Sequence, residues 1–119
     1  MQICTEKYCE LKEGCLLVHV PRELDHHEAN QLRQEAERMI DACRVRQLVF
    51  DFSRTEFMDS SGIGVIIGRC RTMSYHGGEV FARNLNDRLE KIFRVSGLHK
   101  LIQVEQPEGE NTQKGNEKR

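Results

Sequence analysis

Three short apolar runs constrain the fold of this chain more than any other feature. They are Cys15-Leu16-Leu17-Val18-His19-Val20, Gln47-Leu48-Val49-Phe50-Asp51-Phe52 and Glu79-Val80-Phe81-Ala82. Each has the length and the β-branched or aromatic content of a strand, and long stretches of helical period separate them. Strands joined through helices pair in parallel by right-handed crossovers. Lys100-Leu101-Ile102-Gln103-Val104 reads as a last strand. Residues 2–11 alternate poorly but carry Ile3, Tyr8 and Leu11, and Lys12-Glu13-Gly14 makes a turn, so this segment is expected beside the first strand, antiparallel and near a sheet edge. The order is ββαβαβαβ. It predicts a single α/β domain over residues 1–106, with a mixed, mostly parallel open sheet and helices packed on it. From Pro107 onward the chain is polar and without apolar anchors, which predicts a disordered tail over 107–119.

The helices announce their ends. Asp25 is suited to cap the first, and Glu28 three residues on completes a capping-box-like pattern. Ala29, Leu32, Ala36, Met39, Ile40 and Cys43 then recur at helical spacing. Residues 59–75 are ambiguous locally, because three glycines oppose a helix. Spacing decides: Ile63, Ile66, Ile67, Cys70 and Met73 form one apolar face, and Gly77-Gly78 stops the element. Asn86 caps a third helix carrying Leu89, Ile92 and Phe93, closed by Ser96-Gly97. In such a sheet the loops that follow the parallel strands leave from one edge, so Pro21–His27, Ser53–Ser61 and Arg83–Asp87 are expected to meet there.

Composition narrows the partners. Eighteen basic and nineteen acidic residues give a net charge of −1, with no electrostatic reason to expect nucleic acid or an anionic membrane. No apolar stretch approaches the ~20 residues of a membrane span, and Met1–Lys7 lacks the basic and apolar regions of a signal peptide. The chain reads as cytoplasmic. Its five cysteines, Cys4, Cys9, Cys15, Cys43 and Cys70, are odd in number and contain no C-x-x-C pair, so buried free thiols are expected. A zinc site from Cys4, Cys9 or Cys15 with His26 and His27 has unsuitable spacing.

The run Phe57-Met58-Asp59-Ser60-Ser61-Gly62-Ile63-Gly64-Val65-Ile66-Ile67-Gly68-Arg69 puts an acid and two hydroxyls at the expected start of an apolar helix. Four readings compete. As a dinucleotide loop it has the wrong spacing, G-x-G-x-x-x-G, and follows its strand through too long a connection. As a hydrolase site with Ser60 or Ser61 as nucleophile, it lacks the G-x-S-x-G elbow, although His26 or His27 with Asp25 could supply a base across the edge. As a phosphoacceptor, Ser60 would sit where a helix start tolerates negative charge, while a partner pressed beside Asp59 would not tolerate it. The plainest reading is that Asp59, Ser60 and Ser61 only cap a buried helix.

Glu23-Leu24-Asp25-His26-His27, the run 57–69, Gly77-Gly78-Glu79 and Val95-Ser96-Gly97-Leu98 closely resemble the anti-sigma factor antagonists of the STAS-domain family, in the same order of elements over nearly everything before Pro107. The resemblance implies a single STAS-type domain that is not an enzyme. It would bind a nucleotide-bound anti-sigma factor and displace the sigma factor. That anti-sigma factor is also a serine kinase, whose phosphorylation of the antagonist with ATP ends the binding, and a metal-dependent serine phosphatase restores it. ATP and its metal belong to the kinase, so no cofactor is expected here. In the family motif Asp-Ser-Ser-Gly the acceptor is the first serine, which falls on Ser60. Asp59, Ser61, Gly62 and Gly64 would shape the loop and helix start, and Asp25 with Ile63 would contact the partner. Ser61 favours the sporulation branch over the stress-response antagonists, which tend to have threonine there. A STAS module that binds nucleotide or protein without being phosphorylated is the alternative within the family. Pro21-Arg22 depart from the small, glycine-containing turn expected before Glu23.

Overall fold

The computed structural model describes residues 4–105, so the segment expected as a disordered tail lies outside the described residues. The elements are β1 (Cys4–Thr5), β2 (Cys9–Lys12), β3 (Cys15–His19), β4 (Glu23–Leu24), α1 (His26–Ala42), β5 (Gln47–Asp51), β6 (Phe57–Met58), α2 (Ser60–Tyr75), β7 (Glu79–Arg83), α3 (Asp87–Ser96), a 3-10 turn (Leu98–Lys100) and β8 (Gln103–Glu105). The main sheet has the order β1-β2-β3-β5-β7-β8. Its first two pairings are antiparallel and the other three parallel. This is the α/β, mostly parallel arrangement read from the sequence.

From β3 onward the order steps one way only, so right-handed crossovers bring all three helices to one face. Strand alternation agrees. Leu16, Val18, Leu48, Phe50, Val80 and Ala82 turn into the core, whereas Leu17, Val49 and Phe81 stand in register on the opposite face. Against the first set pack Ala29, Leu32, Ala36, Met39 and Ile40 of α1, with Val65, Ile66, Cys70 and Met73 of α2 and Leu89 and Phe93 of α3. Burying one such large aliphatic or aromatic side chain contributes about 1.5–3 kcal/mol.

Four local expectations need correction. Of the segment 2–11, the described residues 4–11 are not one strand. The chain breaks between β1 and β2, where one carboxylate oxygen of buried Glu35 accepts the backbone N–H of Tyr8 and of Cys9, both at 2.8 Å. Glu28 does not close a capping box. Its carboxylate accepts the Tyr8 hydroxyl instead, and burial together with that hydrogen bond pushes the phenol well above its ordinary pKa. The last strand starts at Gln103 rather than Lys100, because Gly97 adopts the left-handed conformation (φ 84°) and the chain then turns once through Leu98–Lys100. Finally, the buried face of α2 is rotated. It carries Gly62, Val65, Ile66, Arg69, Cys70 and Met73, which leaves Ile63 and Ile67 half-buried. Arg69 sits between the helices with Nη2 3.1 Å from Glu37.

The cysteines follow the expectation in part: Cys9, Cys15, Cys43 and Cys70 are free thiols, but Cys15 and Cys43 are half-buried rather than buried. Cys9 and Cys70 are buried free thiols, and burial pushes Cys70 up to about 11. Among the described residues no group of three or more His, Cys, Asp or Glu could hold a metal ion. No described helix is long and apolar enough to cross a membrane.

Candidate functional site

The edge where the parallel strands end is knitted by hydrogen bonds among the three expected loops. Glu56 and Phe57 donate their N–H groups to Arg22 O at 2.8 and 3.1 Å. Buried Thr55 donates its hydroxyl to Val20 O (3.1 Å), and the Asn86 amide reaches Thr55 O (3.2 Å). Arg22 Nε and Glu56 lie 3.1 Å apart, so the Pro21-Arg22 departure is accommodated within this network.

On top of it lies a second, two-stranded sheet. β4 and β6 pair in parallel, Glu23 with Phe57 and Leu24 with Met58. The next residue on each side is an aspartate, and each aspartate caps the helix that follows. Asp25 Oδ1 accepts the N–H of Glu28 at 3.0 Å. Asp59 Oδ1 accepts those of Ser61 and Gly62 at 2.9 and 3.3 Å. The ribbon therefore delivers the N-termini of α1 and α2 side by side, and the positive ends of two helix dipoles share one rim.

Gly62 makes that approach possible. A Cβ there would stand 2.6 Å from Met58 Cγ and 2.8 Å from Leu24 Cδ2, so any side chain would push the helix off the ribbon. Gly62 is accordingly buried, while Gly64 is exposed with nothing within 4 Å of the position of its Cβ. Asp25 and Asp59 are half-buried beneath their helix starts. Ser60, first residue of α2, is exposed.

Ser60 and Ser61 face different surroundings. Ser61 is half-buried and turned toward α1, its Oγ 3.2 Å from His26 Nδ1, in a cleft of about 230 Å³ that Arg33 and Gly64 also line. Ser60 opens on the other side, into a cleft of about 320 Å³ shared with Ile63, Lys91, Ile92 and Val95. Val95 is 83% exposed, an apolar side chain left in solvent beside the candidate acceptor. The sequence reading missed Lys91 and Val95. Ile92 reads as core from its spacing with Leu89 and Phe93, and the neighbourhood of α3 to Ser60 follows only from tertiary packing.

A hydrolase would need more than is assembled here. Of the serine–histidine pairs that reading allows, Ser61 with His26 is in contact, while His27 contacts Gln31 at 3.2 Å. Both nearby aspartates are engaged as caps, and among the described residues no carboxylate orients His26. The arrangement suits protein recognition: two helix starts, an exposed hydroxyl and an apolar shelf.

The family model described as "STAS domain" matches residues 9–111. With this fold and this site, the chain belongs to the STAS-domain family, among the anti-sigma factor antagonists. It is similar to the anti-sigma F factor antagonist of Paenibacillus polymyxa, 33% identical over 95 residues that cover 80% of this chain and 81% of that one. The anti-sigma-B factor antagonist of Listeria monocytogenes is 28% identical over 96 residues, covering 78% and 81%. Among solved structures, the Bacillus cell fate determinant SpoIIAA in its phosphorylated form superposes with a TM-score of 0.69 at 26% identity, covering 96% of each chain.

Proposed function

We propose that this protein is a phosphorylation-controlled antagonist of an anti-sigma factor in the cytoplasm, and that the controlled sigma factor serves sporulation. Unphosphorylated, it docks its rim on an anti-sigma factor with serine kinase activity and releases the sigma factor. The kinase then ends the contact. Ser60 Oγ attacks the γ-phosphorus of ATP, the bond to the β–γ bridging oxygen breaks, ADP leaves, and the hydroxyl proton passes to a base on the kinase. A metal-dependent serine phosphatase hydrolyses the ester and restores binding.

The observation that carries this reading is the exposed Ser60 at the first position of α2, in line with Asp59 and held beside Asp25 by the β4–β6 ribbon. The phosphoryl group adds about −1.5 to −2 charges. The helix starts accept that charge in the free domain, so nothing needs to refold. A partner lying across Ile63, Ile92 and Asp59 would have to strip that charge of water, which is costly. The greater similarity to the sigma F relative than to the sigma-B relative supports the sporulation branch.

The test is intact mass after incubation with the anti-sigma kinase and ATP. One added phosphate mapped to Ser60, absent in Ser60→Ala, is the expected result. No addition with a competent kinase overturns the proposal.

A further inference from the structure

The cleft that holds Ser60 is lined by one cation. Lys91 is exposed on α3 and reaches the same 320 Å³ space as Ser60, Ile63 and Ile92. Among the described residues no carboxylate forms an ion pair with it. The other charged or titratable groups near this end of the cleft come from α3 itself, where Asp87 stands one turn before Lys91 and Glu90 beside it, and from the rim. On the rim, Asp59 stands next to Ser60 on the helix start, Asp25 lies across the ribbon, and His26 approaches from α1 on the Ser61 side.

We infer that Lys91 is the counter-ion of the phosphate on phosphorylated Ser60, and that this pairing lays the lysine stem over Ile63 and Ile92. The inference rests on the proposed modification of Ser60. An ammonium on a four-carbon stem is compact and reorients freely, so it can follow a new dianion without moving the backbone. A charge-assisted bond to phosphate is stronger than one to a neutral hydroxyl, so the lysine changes position when the serine changes state. Its methylenes then cover apolar surface while the ammonium stays in water. Phosphorylation thereby acts twice at one spot: it adds charge at the rim and covers the apolar shelf that the partner needs.

The experiment uses the full chain with phosphoserine installed at position 60 during translation, so that no kinase is required. The second ionisation of the phosphate is followed by phosphorus NMR across pH 4–9 in the wild type, Lys91→Gln and Lys91→Arg. The wild-type midpoint is expected about half a pH unit below that of Lys91→Gln, with Lys91→Arg alongside the wild type. The methyl resonances of Ile63 and Ile92 are expected to move on phosphorylation more in the wild type than in Lys91→Gln. Equal midpoints in all three proteins overturn the ion pair, and methyl shifts indifferent to Lys91 overturn the covering of the shelf. Because the serine arrives already phosphorylated, a kinase that ignores Ser60 refutes the proposed function and leaves this measurement standing.

Discussion

The start of α1 and the start of α2 are held together by the same two residue pairs and capped by the same residue type, yet they present different surfaces. The first turn of α1 carries Glu28, whose carboxylate binds the Tyr8 hydroxyl and ties the helix to the N-terminal hairpin. The first turn of α2 carries no acid after its cap, and it exposes Ser60 while Ser61 is half-buried and Gly62 buried. One start is anchored from behind and the other is left open to a visitor. Under the proposed function, the comparison separates support from recognition on a single rim: similar backbone geometry does not make equal sites, and the residues after the cap set what each helix end exposes.

The largest expected effect tests that separation directly. Ser60→Asp should weaken binding to the anti-sigma factor about a hundredfold, since it places a charge that must lose its water in the contact. His26→Gln at the matching position of α1 should change affinity by less than about fivefold. Isothermal calorimetry on both variants decides, and equal losses would break the comparison.

Next in size is the packing beneath α2. Gly62→Ala should cost about 2 kcal/mol in urea unfolding, because its methyl overlaps Met58 and Leu24. Gly64→Ala meets open space and should gain roughly 0.5–1 kcal/mol from helix propensity. A Gly62→Ala protein as stable as wild type would show that the ribbon yields.

The caps come third. Asp59→Ala and Asp25→Ala should each lose about 1 kcal/mol in thermal or urea unfolding. Asp59 should lose more, since it serves two N–H groups where Asp25 serves one.

The smallest effect lies on the same rim, away from both starts. Burial alone would raise the carboxyl pKa of Asp51, but hydrogen bonds from the Asn84 amide and Ser53, with His19 nearby, hold it below its ordinary value. A depressed carboxyl stabilises the fold above its unfolded pKa, and that contribution is lost as pH falls through the folded value. Unfolding curves from pH 6 down to pH 3 should therefore show less acid sensitivity in Asp51→Asn, by under about 1 kcal/mol.

The elements legible in the sequence are those whose own residues carry a period. The strands around Leu16–Val18, Leu48–Phe50 and Val80–Ala82 declare themselves by apolar content, and the three helix caps Asp25, Asp59 and Asn86 by residue type and position. β4 and β6 escaped notice because two residues cannot show an alternation, and their pairing depends on a partner more than thirty positions away. The rotation of α2 was hidden for a related reason. Ile63 and Ile67 look like core by composition, while the close approach that Gly62 permits turns the helix and buries Arg69 instead. Ser60 could be singled out from its motif, but the shelf of Lys91, Ile92 and Val95 belongs to a different helix.

The two-pair ribbon has a consequence for how the serine can be read. Residues 22–28 and 56–64 are far apart in sequence and paired in space, so the docking surface proposed above is discontinuous. A synthetic peptide carrying the serine and its flanks would lack Asp25 and the α3 residues alongside, so an enzyme that recognises this surface inspects tertiary structure rather than a linear consensus. Unfolded or truncated copies of the chain would then escape modification without any additional safeguard.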